Sequence, residues 1–283
     1  MVRAPMGDEK YWEARVANRH RAIDMATEQI RTPSQNPAYR PQYLFDLAHE
    51  YPRLILTQYS RGDGIQKIDN SFEELLAMWE LSNKLAEEIC LQKNQKECRD
   101  WKFELSNLNH YNWCFWLVGL ALVLEIPNDQ WKRLLHLIDG DGEDELLDRI
   151  IASRQSDRVI GTRLLHKKPY ARLLKAIDAP KPQQAVLLRD FVDHWYTELD
   201  RKGPDELWWY VYGDPVKHPL KMGSYFGRWC IEAVAAVKVF NIDDSLCLGQ
   251  EHYPGDLLRP DGATTNISSL PEKRSLLNRL LRR

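Results

Sequence analysis

Glu232 is the residue whose setting most suggests chemistry. It lies in the middle of "SYFGRWCIEAVAAVKVF" (224–240), a stretch otherwise made of aromatic, aliphatic and alanine side chains. A carboxyl taken out of water has its pKa pushed upward, which is how enzymes tune a general acid. The same setting also suits a structural post, because a buried carboxylate without partners costs several kcal/mol and must find donors or a proton. At 100° per residue, Tyr225, Trp229, Glu232, Ala236 and Phe240 fall on one stripe about 80° wide. The sequence therefore predicts a helix over 224–240 with Glu232 facing inward. A catalytic role needs a cleft and a second tuned group, for which His252 in "HYPGDLL" is the candidate. A structural role needs donors: a His or Arg from another helix, a tyrosine hydroxyl or loop amides, with the turn after the helix and "HYPGDLL" as the first expectation. The structural role is the stronger reading, since neither the cleft nor the second group is visible.

Other catalytic and metal signatures are missing. None of the eight histidines forms H-E-x-x-H or a pair one helical turn apart. There is no G-x-S-x-G and no Walker glycine loop, so no cofactor or metal is called. The run "DGDGEDELLD" (139–148) resembles a calcium loop until the positions are counted. Its sixth residue is Asp144 and its twelfth is Ile150, where an EF-hand needs Gly and Glu. Asp139, Asp141, Glu143, Asp144, Glu145 and Asp148 thus form an acidic run without an assigned ion. It reads either as a solvated lead into a helix, where acids favour the N-terminal dipole, or as a surface for a basic partner. "RGD" at 61–63 reads as a turn, and the basic "KRSLLNRLLRR" at the C-terminus as a solvated end or a short amphipathic helix.

The elements that would position these residues are helical throughout. Helical spacing runs over 8–31, over 37–58 with Pro52 kinking or splitting it, and over 71–91 with Ser71 and Glu74 spaced as a capping box. A more apolar helix is expected over 100–126, ended by Pro127. Shorter helices follow over 128–138, 143–155 and 170–179, then a longer one over 181–200. "LWWYVY" (207–212) could make a strand, but it has no second strand to pair with. With no βαβ alternation or hairpin series, the class is all-α, a two-part helical bundle. The parts are placed at 1–127 and 128–260, with a tail over 261–283. "WCFWLVGLALVLEIPND" (113–129) echoes "WCIEAVAAVKVFNIDDS" (229–245), through either chance or a shared plan of two halves.

Composition narrows the class further. The chain has 283 residues, 43% hydrophobic and 28% charged, which supports a substantial core. A net charge of −2 argues against direct nucleic-acid binding. The longest apolar run, 113–124, would make a helix of roughly 18 Å, too short for a bilayer core of about 30 Å. The N-terminal stretch turns charged where a leader would turn apolar. Five cysteines without a C-x-x-C pair, three of them (Cys90, Cys114, Cys230) in apolar helical patterns, fit free thiols in a reducing cytoplasm.

Several segments in a fixed order resemble the PoNi family of bacterial immunity proteins. The C-terminal pattern is carried by Phe226, Gly227, Trp229, Glu232, Ala233 and Ala235, then Ile242, Asp243, Asp244 and Ser245, then Tyr253, Pro254, Asp256 and Leu257. "KKPYARLLKAIDAP" and "LLRDFVDHWYTEL" fit the middle of the family, and Tyr59, Ser60 and Gly62 match its N-terminal turn before a long helix. The resemblance covers about 40–260. It implies a helical protein without chemistry of its own, which binds a cognate antibacterial toxin. That toxin is usually a DNase delivered by a contact-dependent (type VI) secretion system. A nuclease cleft is basic, so the acidic run is the expected contact surface. The alternatives are a helical hydrolase using Glu232 and a histidine such as His252, or an adaptor for an unrelated protein. The sequence is compatible with a monomer or a homodimer.

Overall fold

The computed structural model describes residues 1–32, 36–68, 71–94 and 103–265. Among them are nine α-helices and no strand. The N-terminal three are α1 (Glu9–Arg31), α2 (Arg40–Arg61) and α3 (Phe72–Gln92). Next come α4 (Leu108–Val123), α5 (Asn128–Ile138) and α6 (Glu145–Ala152). The last are α7 (Lys167–Asp178), α8 (Lys181–Glu198) and α9 (Ile231–Phe240). Of the tail expected over 261–283, residues 266–283, with the basic segment, lie outside the described residues.

Local sequence explains most boundaries. Asp8 caps α1 by accepting from the Tyr11 amide at 2.7 Å, and Asn107 caps α4 by accepting from the Asn109 amide at 2.9 Å. Such caps satisfy amides that no preceding turn can reach. The Asn107 cap also sets the start of α4 later than the apolar pattern alone suggests. Pro52 does not split α2, which continues to Arg61. The Ser71–Glu74 capping box does not form, because Ser71 makes no side-chain cap bond. Its backbone (φ −81°, ψ 28°) is outside the extended conformation that aims an N-cap side chain at the following amides.

The helices pack α1 on α2 and α2 on α3, with α5 against α3. Further along the chain α4 packs on α9, and α7 on α8. One continuous apolar cluster runs from Ala4 to Leu257. At its centre is α4, in which every residue from Tyr111 to Val123 is buried. A helix apolar on all sides must be surrounded on all sides, and α4 is. The echoing segments thus end as neighbours, with α4 and α9 in contact.

Three expectations need correction. The helix predicted over 224–240 begins only at Ile231, because Gly227 takes φ +103°, a conformation no α-helix contains. Tyr225 and Trp229 are therefore off the helix, and the stripe joining them to Glu232 does not exist as such. "LWWYVY" forms consecutive turns in place of a strand. Cys114, Cys230 and Cys247 are free and buried, but Cys90 is disulfide-bonded, against the expectation of a thiol there. Among the described residues no helix is long and apolar enough to cross a membrane.

Candidate functional site

Glu232 lies in the first turn of α9 and is 0% exposed. Its Oε1 accepts from Asn112 Nδ2 at 3.0 Å, from the Tyr170 hydroxyl at 3.0 Å and from Trp195 Nε1 at 3.3 Å. These donors come from α4, α7 and α8, so one carboxyl joins four helices. They do not come from the turn after α9 or from "HYPGDLL", the source expected from sequence. The network continues outward, since Trp209 Nε1 donates to Asn112 Oδ1 at 2.8 Å. Burial raises the Glu232 carboxyl to about 7, opposed by the hydrogen bonds from Trp195 and Tyr170. All its side-chain donors are neutral, so no cation offsets the lost hydration of a full charge and the hydrogen bonds offset it only in part. No substrate reaches a group with no exposed surface, which removes the hydrolase built on Glu232 and His252. His252 instead points Nδ1 at the Arg228 carbonyl, 3.1 Å away.

The acidic run divides into buried and exposed members. Asp144 and Asp148 are both 0% exposed. Asp144 caps α6 through the Leu147 amide (2.8 Å) and also accepts from the Tyr111 hydroxyl (2.9 Å) and the Leu165 amide (2.8 Å). Asp148 holds Arg158 at 2.7 Å and accepts from the Gly161 amide at 3.0 Å. An approaching partner meets neither carboxylate, so as contact residues these two are corrected. Asp139, Asp141 and Glu143 are exposed, and Glu145 is half-buried. Asp141 also serves the fold, accepting from the Val159 amide at 2.8 Å and lying 3.2 Å from Arg158.

The remaining signature residues form a clasp between the two ends of the chain. α2 ends at Gly62, in the left-handed region at φ +101°. Just before it, the Ser60 hydroxyl donates to the Phe226 carbonyl at 2.8 Å and accepts from Trp229 Nε1 at 2.8 Å. Tyr59 meets the Trp229 ring edge-on at 4.9 Å. Arg3 lies over the Tyr59 ring, 4.6 Å from its centroid. Its Nε donates to Asp256 Oδ2 at 2.6 Å, and its Nη1 donates to the Tyr59 and Asp63 carbonyls at 3.1 and 2.6 Å. Asp256 also accepts from the Thr265 amide and hydroxyl, both at 2.7 Å. Nearby, Asp244 receives the Tyr253 hydroxyl at 2.5 Å and Arg259 Nη1 at 2.9 Å. Asp243 is exposed and accepts from the Ser245 amide at 2.9 Å. Pro254 is buried, at the start of the short turn that carries Asp256.

Sequence reasoning missed Arg3, Arg158 and Arg259, the cations that complete these carboxylates. It also missed Asn112, Tyr170 and Trp195. A polar Asn in an otherwise apolar helix was the available signal for Asn112. The arginines sit in loops with no periodicity to mark them. A cavity of about 760 Å³ between α1 and α2, lined in part by His49, Glu50 and Arg53, also went unnoticed. Glu50 is held by Arg19 at 2.7 Å and by Arg53, while burial, Arg53 and His110 push His49 down to about 3.

The N-terminal region of the PoNe immunity proteins (PoNi) matches residues 3–136, and their C-terminal region matches 142–257. This chain belongs to the PoNi family. Both halves are therefore present in family order, and the clasp of Arg3, Ser60, Trp229 and Asp256 joins one PoNi half to the other. Glu232 likewise joins α4, from the N-terminal PoNi region, to α7, α8 and α9 of the C-terminal one. Among solved structures, protein PA2201 from Pseudomonas aeruginosa has the same fold at a TM-score of 0.68 and 18% identity, covering 92% of this chain and 91% of that one. No curated protein matches the chain. Among the described residues, no group of three or more side chains could hold a metal ion.

Proposed function

We propose that this chain is an immunity protein that binds and neutralises a PoNe-type nuclease toxin in the cytoplasm, where the toxin would reach DNA. The reading rests on one observation above the rest, the two PoNi regions matched in order over 3–136 and 142–257. The fate of the buried carboxylates supports it. Glu232, Asp144, Asp148 and Asp256 are each spent on holding helices or loops. Neutralisation then proceeds by binding alone, by covering the toxin's active site or by breaking its active assembly. Asp139, Asp141 and Glu143 offer exposed negative charge to a basic cleft.

The test is co-expression with a PoNe-type nuclease, paired with a binding titration using its catalytically inactive form. Cells should survive and the pair should associate. Survival without association, or association without survival, would sink the reading.

A further inference from the structure

The cavity between α1 and α2 is left open by the way the two helices are joined. Only Trp12 and Val16 of α1 are buried, both in its first half. Beyond them two bridges cross to α2. Arg19 Nη1 donates to Glu50 Oε2 at 2.7 Å, and Arg40 Nη2 donates to the Ile30 carbonyl at 2.9 Å. The stretch of α1 between these bridges lines the cavity of about 760 Å³. Ala22, Ala26 and Ile30 line it from α1, and Tyr39, Tyr43 and Leu47 from the start of α2. Each set is spaced four residues apart and so forms one ridge. Two alanines stand where a close-packed pair of helices would carry larger side chains. Leu47 is buried, while Tyr39 and Tyr43 are 54% and 50% exposed, so the cleft is apolar in depth and edged by two aromatic rings.

Its polar lining is short of acceptors. Arg40 Nε, His49 Nε2 and Arg53 Nε are buried without a partner among the described residues. The guanidinium nitrogens are donors in every state, and His49 Nε2 is one in one tautomer. Buried donors of this kind call for acceptors. The nearby carboxylates are already engaged. Glu50 is held by Arg19 and Arg53, and the exposed Asp46 accepts from Gln42 Nε2 at 2.9 Å. Arg40 pairs with no carboxylate among the described residues, so its charge is left over. A cleft of this size lies within the roughly 300–1,000 Å³ typical of small-ligand sites, and walls bridged at two points need little reordering on binding. Flat apolar surface suits the tyrosine rings, and an anionic head suits the guanidinium.

We propose that the α1–α2 cleft is a binding site for a small aromatic organic acid, its ring against Ala26, Tyr43 and Leu47 and its carboxylate on Arg40. This site stands apart from the toxin-binding function and does not depend on it.

Titration of the full chain with 2-naphthoate, followed by amide chemical shifts, tests the assignment. The wild type should bind at one site, with the shifts centred on Ala26, Arg40 and Tyr43. The uncharged analogue 2-naphthamide should bind at least about tenfold more weakly. Ala22→Leu/Ala26→Leu fills the space with residues that suit a helix, and should abolish binding at an unchanged or raised melting temperature. Arg40→Gln should weaken naphthoate about tenfold and leave the amide unaffected. Absence of naphthoate binding to the wild type overturns the assignment. Equal affinity for the amide, or wild-type affinity in both variants, overturns it as well. Tighter binding after removal of residues 266–283 would give the cleft to the chain's own tail. The same shifts on raising the protein concentration alone would give it to a second copy. Either result also overturns the proposal.

Discussion

Glu232 and Asp256 are both carboxyls withdrawn from water, yet the fold drives them towards opposite charge states. Glu232 sits among neutral donors and is raised to about 7 by burial. Burial acts on Asp256 in the same direction, but the Arg3 guanidinium and the Thr264 and Thr265 bonds outweigh it and hold the carboxyl below the usual Asp range. The contrast shows two ways of building a polar fastener. Neutral donors make a post that works best with a proton on it. A guanidinium makes a clasp that works only as an ion pair.

Four experiments would break or sharpen that contrast. The largest effect should come from Arg3→Met, which leaves Asp256 buried without its cation. Urea denaturation should show a loss of about 3–5 kcal/mol, and pairing it with Asp256→Leu should return part of that loss. A loss under about 1 kcal/mol would show that the clasp is not an ion pair in function. Because the folded pKa of Asp256 is depressed, its contribution is present above the ordinary Asp value of 3.8 and is lost as the pH falls through its folded value.

The pH dependence of Glu232 has the other sign. Its folded pKa is raised, so its favourable contribution is complete below 4.5 and is lost as the pH rises towards about 7. Over that interval Glu232→Gln should gain on the order of 3 kcal/mol relative to the wild type. Parallel stability curves for the two proteins would contradict the neutral-post account.

Gly161→Ala is expected to cost about 1–3 kcal/mol through overpacking against Asp144, and to open the 153–165 segment to limited proteolysis. An unchanged cleavage pattern would mean that the bonds to Asp144 and Asp148 do not hold the segment. The smallest effect is on the surface. Asp139→Asn/Glu143→Gln, which keeps a residue that tolerates the positive φ at 139, should alter stability by no more than about 0.5 kcal/mol, while raising the salt-sensitive dissociation constant for the toxin. Unchanged binding in a titration would remove these two acids from the contact surface.

The helical class was legible because apolar periodicity survives in any one segment read alone. Glu232 was legible for the same reason, being a single carboxyl in an apolar run. Its donors were not, since Asn112, Tyr170 and Trp195 lie 120, 62 and 37 residues away in sequence. The stripe through Tyr225 and Trp229 failed because the pattern contains no term for Gly227 at φ +103°. The acidic run failed in a different way. Composition counts charges but cannot tell Asp139, in water, from Asp148, under Arg158.

By itself, then, the sequence determined an all-helical chain with a central apolar helix, an inward-facing carboxyl and the ordered segments of the PoNi family. These follow from local periodicity and from residue order, both properties of a one-dimensional chain. Only the tertiary structure decided which carboxyls are neutral and which are paired, which acids reach the surface, and that Asp141, Asp144 and Asp148 pin the segment after α6. Each of those depends on what burial brings alongside a group. Desolvation and hydrogen bonding act through distance in space, which separation along the chain does not encode.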